Sequence, residues 1–140
     1  MNSKLITEVS KLQPEMKAWM DHMHQNPELN MDTHETAAFI AEKLKSWGYD
    51  VAEGIGGTGI VASLTVGDGQ KAIGMRADFD ALPIIEDNDL AYKSQVEGLS
   101  HLCGHDAHST MLLGAAKYLA ETKNFNGMVR MIFQPGEETM

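Results

Sequence analysis

The segment Ser100-His101-Leu102-Cys103-Gly104-His105-Asp106-Ala107-His108 concentrates three imidazoles, a thiol and a carboxylate in one short stretch. Thiolate and imidazole are the preferred ligands of zinc and similar transition metals. Cys103 and His105 alternate with Gly104, so on an extended loop their side chains point the same way. Gly104 lets the backbone bend closely around an ion. Asp106 is placed either to hydrogen-bond a ligand imidazole or to cap a following helix. The competing reading is a helix N-terminus that is merely polar; a lone histidine would favour it, whereas this combination of ligand types favours a metal.

Two further segments carry carboxylates at strand ends. In Gln134-Pro135-Gly136-Glu137-Glu138 the Pro-Gly pair stops a strand and two acids follow, the place where open α/β sheets build their sites. Adjacent carboxylates repel, and a cation would relieve that. One could be a ligand while the other stays free as a general base. A solvated acidic pair opening a helix is the alternative. In Arg76-Ala77-Asp78-Phe79-Asp80-Ala81-Leu82-Pro83, Asp78 and Asp80 would face one side. An Asp-x-Asp pattern is common on surface loops, so its weight comes from agreement with the other two segments.

The elements that must position these residues follow from periodicity. Ser3 to His24 has helical spacing of apolar residues, with Pro14 placed to kink or restart it. Met16, Met20 and Met23 read as core, and His22 and His24 as residues flanking or capping the helix end. A second helix is expected from Thr33 to Trp47, ended by Gly48, with His34 solvated near its start. Strands are expected at Tyr49 to Glu53, Ile60 to Val66, Lys71 to Arg76 and Gly127 to Gln134. Gly56-Gly57-Thr58-Gly59 reads as a turn without a phosphate-loop lysine. Gly67-Asp68-Gly69 reads as a hairpin turn, so the strand after it should run antiparallel beside the one before. Asp78 to Ser100 reads as polar and irregular. Ala107 to Thr122 reads as a helix burying Met111, Leu112, Ala115, Ala116 and Leu119. The order predicts an α/β fold with a mixed sheet flanked by helices, with a parallel crossover between the Lys71 and Gly127 strands.

Composition sets the outer bounds. The 140 residues suit one domain with a real core. A net charge of -9 argues against nucleic acid as a partner. No stretch reaches the about 18 apolar residues of a membrane span. Cys103 is the single cysteine, which excludes an internal disulfide and suits a reducing compartment. With no secretory signal at the N-terminus, the expected location is cytoplasmic. The sequence ends in Glu137-Glu138-Thr139-Met140, where a helix would normally begin; it reads as a truncated form, and a complete small domain is the alternative.

The chain resembles the metal-dependent amidohydrolase and aminoacylase family that includes hippurate hydrolases and auxin-conjugate hydrolases. The resemblance runs from His24 to Glu138 through His24-Gln25-Asn26-Pro27-Glu28-Leu29, Glu35-Thr36-Ala37, Arg76-Ala77-Asp78-Phe79-Asp80-Ala81-Leu82-Pro83, His101-Leu102-Cys103-Gly104-His105-Asp106-Ala107-His108 and Gln134-Pro135-Gly136-Glu137-Glu138. It implies a zinc-peptidase-like catalytic domain of which residues 1–140 are the N-terminal part. It implies that Cys103, His105 and Glu138 are ligands of two divalent metal ions (Zn, Mn, Co or Ni), and that Glu137 is the general base. Asp78, Asp80, Asp106 and His108 would then support the ligands or touch substrate. Two more histidine ligands, and a lid or dimerisation domain giving a possible homodimer, lie later in family members. Two departures stand out. Met20 and Asp21 replace arginines common before the first motif, and Arg76 stands where the wider peptidase clan has a ligand histidine, a loss that the Cys-Gly-His segment would make good.

The expected activity is hydrolysis of the amide bond of small-molecule N-acyl amino acids. A fragment that is inactive or binds metal without catalysis is the alternative. A thiol redox module is disfavoured because Cys103 has no resolving partner.

Overall fold

Pro14 falls in the first turn of a helix, where its missing N–H costs nothing, and it therefore restarts the chain after a short break. The computed structural model of the protein describes residues 3–139; Met1, Asn2 and Met140, on which the readings of the two chain ends partly rest, lie outside them. Helix α1 spans Ser3–Ser10 and α2 spans Gln13–Gln25. Helix α3 spans His34–Ser46. Its first turn is capped by Glu28, whose carboxylate accepts the N–H groups of Glu35 and Thr36 at 3.1 and 2.7 Å. Gly48, at φ 85°, turns the chain out of the helix.

Strands β1 (Asp50–Ile55), β2 (Gly59–Val66), β3 (Ala72–Asp78) and β4 (Gly127–Gln134) form one mixed sheet in the order β1-β2-β4-β3. Helix α4 (His105–Thr122) connects β3 to β4, which run parallel as expected. The hairpin expectation is corrected. The strand after Gly67-Asp68-Gly69 does not pair with β2, because β4 inserts between them and is antiparallel to β2. The turn itself is real, but it is held from β4's side: the Asn126 side-chain Oδ1 accepts the N–H groups of Asp68 and Gly69.

Burial alternates along β4, as one-sided packing requires. Val129, Met131 and Phe133 enter the core, while Arg130 and Ile132 on the opposite face are exposed. With Ile60, Ala62 and Ala77 they pack against Trp19, Met23, Ile40, Leu44, Leu113 and Ala116 from the helices. Met111 departs from its expected burial. It is 58% exposed, because α4 turns Leu112, Leu113 and Ala116 inward instead; Ala115 and Leu119 are half-buried. Met16, Met20 and Met23 lie on the inner side of α2, with only Met23 fully buried. Among the described residues no helix is long and apolar enough to cross a membrane.

The segment after β3 is irregular as expected, yet it is not a loose surface loop. Phe79, Asp80, Ala81, Glu86 and Ser100 are buried. Ala81 pairs with Leu29, and Leu82 with Ser100. This tethering brings the end of β3 under the start of α4.

Candidate functional site

Parallel pairing sets Asp78 opposite Gln134, so the acid segments that follow β3 and β4 emerge side by side. Asp80 links them. Its Oδ2 accepts the Glu138 N–H at 3.0 Å, and its backbone oxygen accepts the His105 Nδ1–H at 2.9 Å. Glu137 and Glu138 lie in a single 3-10 turn after Pro135-Gly136. Gly104 adopts a left-handed conformation at φ 87°. The helix consequently starts at His105, two residues earlier than the sequence suggests. Cys103 and His105 are brought together by this reversal and not by an extended loop.

His105 donates from Nδ1, which leaves Nε2 to face the acids. The ring is buried, and Nε2 lies 3.6 Å from Glu138 Oε1, 3.8 Å from Glu137 Oε2 and 3.8 Å from Asp78 Oδ1. The donor atoms of Cys103, His105 and Glu138 all lie within 4.8 Å of one another, as do those of Asp78, His105 and His108. Asp78 is already engaged, taking the His108 ring at 2.7 Å and the Arg76 guanidinium at 3.0 Å. Burial pushes its carboxyl up, but His108, His105 and Arg76 outweigh that and hold it below the usual carboxylate value.

Of the residues expected from sequence, Cys103, His105, Glu137, Glu138, Asp78, Asp80 and His108 gather in this cleft. Asp106 does not. It faces away from the ligand cluster, taking the His24 Nδ1–H at 2.7 Å and the Ala107 N–H at 2.8 Å. It therefore serves the helix start and not a ligand imidazole. His24 does not cap its helix, for it is buried between Asp106 and Glu86. His24 and Glu86 were missed because a single histidine and a single acid, far apart in sequence, carry no local pattern. His101, the first imidazole of the Ser100–His108 segment, does not join the ligand cluster; both its ring nitrogens are buried without a hydrogen-bond partner among the described residues.

The donors fit a divalent transition metal. Glu138 beside it, then burial, then Glu137 and Asp78, push the Cys103 thiol up to about 11. Several acceptors thus crowd one thiol and one imidazole nitrogen, and a cation would convert that crowding into coordination. A thiolate, a neutral imidazole fixed by a backbone carbonyl, and a carboxylate fixed through its own backbone make a borderline-soft set with an oriented outer shell.

The profile of Peptidase family M20/M25/M40 matches residues 74–140. The chain is 52% identical over 134 residues to hippurate hydrolase of Campylobacter jejuni, covering 96% of this chain and 35% of that protein. It is 41% identical to N-acetyl-L-cysteine deacetylase of Bacillus subtilis, covering 93% of this chain and 32% of the relative. The fold matches the crystal structure of the YXEP protein of Bacillus subtilis, a dinuclear metal-binding peptidase of the M20 family, with a TM-score of 0.85 and 34% identity over 92% of this chain and 36% of that one. The chain thus spans about a third of the length of the relatives it matches.

Proposed function

Because this chain belongs to peptidase family M20/M25/M40, a family of hydrolases, we propose that it supplies the metal-binding cleft of an amidohydrolase that removes the acyl group from N-acyl amino acids. The observation that carries this reading is the convergence of Cys103, His105 and Glu138 beside the free carboxylate of Glu137. The bond class rests on the relatives, two of which are named for N-acyl amino acid substrates.

Cys103, His105 and Glu138 would hold the metal, with zinc, manganese, cobalt or nickel the candidates and a second ion expected in the dinuclear form. A divalent ion bound there would supply Lewis-acid polarisation of the amide carbonyl and make a neighbouring water more acidic. Glu137 does the proton work. Its carboxylate takes a proton from water as the water oxygen attacks the carbonyl carbon. It then delivers that proton to the amide nitrogen as the C–N bond breaks, leaving a carboxylic acid and a free amine. Asp80 holds Glu138 and His105 in place throughout, and Asp78 orients His108 at the rim.

The test is a paired measurement on metal-loaded protein. Glu137→Ala should keep its metal content and lose hydrolysis of N-benzoylglycine by about a hundredfold to ten-thousandfold. Cys103→Ala should lose the metal itself. Unchanged turnover in Glu137→Ala would sink the base assignment. A second reading is a metal-binding fragment without catalysis. It is favoured by the three protein ligands that the Cys103 cluster offers among the described residues. Metal uptake without any hydrolysis would select it.

A further inference from the structure

His24 lies near the C-terminal end of α2, and each of its ring nitrogens faces a carboxylate. Nδ1 is 2.7 Å from Asp106 Oδ2 and Nε2 is 3.1 Å from Glu86 Oε1. Ionised carboxylates only accept hydrogen bonds, so both nitrogens must donate, and an imidazole with two N–H groups is a cation. The remaining oxygens are already taken by backbone donors: Glu86 Oε2 accepts the Ser94 N–H at 2.8 Å, and Asp106 Oδ1 accepts the Ala107 N–H at 2.8 Å. The other groups around the ring are Tyr92, edge-on at 5.3 Å with the Lys17 ammonium over its face, and His101 at 6.4 Å.

Three segments meet at this ring: the end of α2, the first turn of α4, and the segment between β3 and α4. The helix dipoles favour the arrangement, with a cation at the C-terminal end of α2 and an anion at the N-terminal end of α4. That first turn has no side-chain cap from Gly104. The His24–Asp106 pair supplies the anchor in its place, one residue from His105.

We propose that His24 is a positioning residue for the candidate metal centre: a buried imidazolium, clamped by Asp106 and Glu86, that fixes the first turn of α4 and holds His105 with Nδ1 on Asp80 and Nε2 facing Cys103 and Glu138. The consequence for metal binding rests on the ligand reading above, whereas the clamp exists with or without an ion.

Nitrogen-15 imidazole spectra of the metal-free chain at pH 7 should give His24 protonated on both nitrogens and an N–H at His105 Nδ1 held on the Asp80 backbone oxygen. His24→Gln keeps a donor and removes the charge. It should loosen the His105 Nδ1–H from Asp80 and weaken Co(II) binding, followed by the thiolate-to-Co(II) absorption band, by about tenfold to a hundredfold. Leu44→Ala, a core truncation in α3, should lower stability and leave both signals alone. If His24→Gln does not fold, Glu86→Gln should lower the pH at which His24 sheds its second proton. A neutral His24 at pH 7, or no change in that pH in Glu86→Gln, overturns the proposal. So does a folded His24→Gln with an unaltered His105 Nδ1–H signal and Co(II) affinity. If the unaltered chain shows both histidine signals and takes up no Co(II), the ligand reading falls and the clamp stands.

Discussion

A histidine held between two carboxylates makes stability depend on pH in a defined window. Burial opposes the charged form of His24, but Asp106 and Glu86 outweigh it and raise the ring above its ordinary 6.5. Burial likewise opposes ionised Glu86, but the Ser94 N–H and His24 hold it below its ordinary 4.5. A raised histidine stabilises fully below its unfolded value, and the contribution is lost as pH climbs through the folded one. A depressed carboxylate stabilises above its unfolded value and fades as pH falls through the folded one. The contribution of the His24–Glu86 pair, read as the difference in urea midpoint between the metal-free protein and His24→Gln, should therefore be complete between about 4.5 and about 6.5. His24→Gln should flatten the alkaline limb of the urea-midpoint profile. An alkaline limb of the same slope in the variant would show that the decline comes from another group.

At the level of elements, two starts of helices decide where the site residues go. Gly104 takes φ 87° with open space around its missing Cβ, so Gly104→Ala meets conformational strain and no clash. It should cost about 1–2 kcal/mol, measured by thermal melting. Glu28 caps α3 through two N–H groups while its backbone oxygen accepts the Ala81 N–H at 2.8 Å. Glu28→Ala should cost about 0.5–2 kcal/mol. These starts also mark how far the sequence could be read. Strand β4 was legible to the residue, because a β-rich run stops at Pro135-Gly136. Strand β2 and the bodies of α3 and α4 were legible from periodicity. The pairing of β2 was not, since Gly67-Asp68-Gly69 specifies a turn but not which strand will lie alongside. The cleft could be assembled from Cys103, His105 and Glu138 because their residue types are rare together. The contact of His24 with Asp106 spans 82 positions, and nothing local in either segment announces it.

For the whole molecule, the cleft depends on one core. Leu113 is fully buried where α4 crosses the sheet. Leu113→Ala should cost about 2–5 kcal/mol and lower the melting temperature of the metal-free and metal-loaded forms together. A loss confined to one form would mean that α4 packs differently when the ion is bound.

The position of β4 also fixes the order in which the molecule can be built. It is the last in sequence of the four described strands and it sits inside the sheet, so none of the other described strands pairs with β3 before Gly127–Gln134 has left the ribosome. Translation proceeds at about 5–20 residues per second, which leaves β3 and the segment behind it unmated for several seconds while the β1–β2 hairpin can already close. Nascent chains arrested before Gly127 should be cut by protease throughout β3 and the segment up to α4. Chains released past Gln134 should become resistant in one step, because a single central strand joins both halves at once.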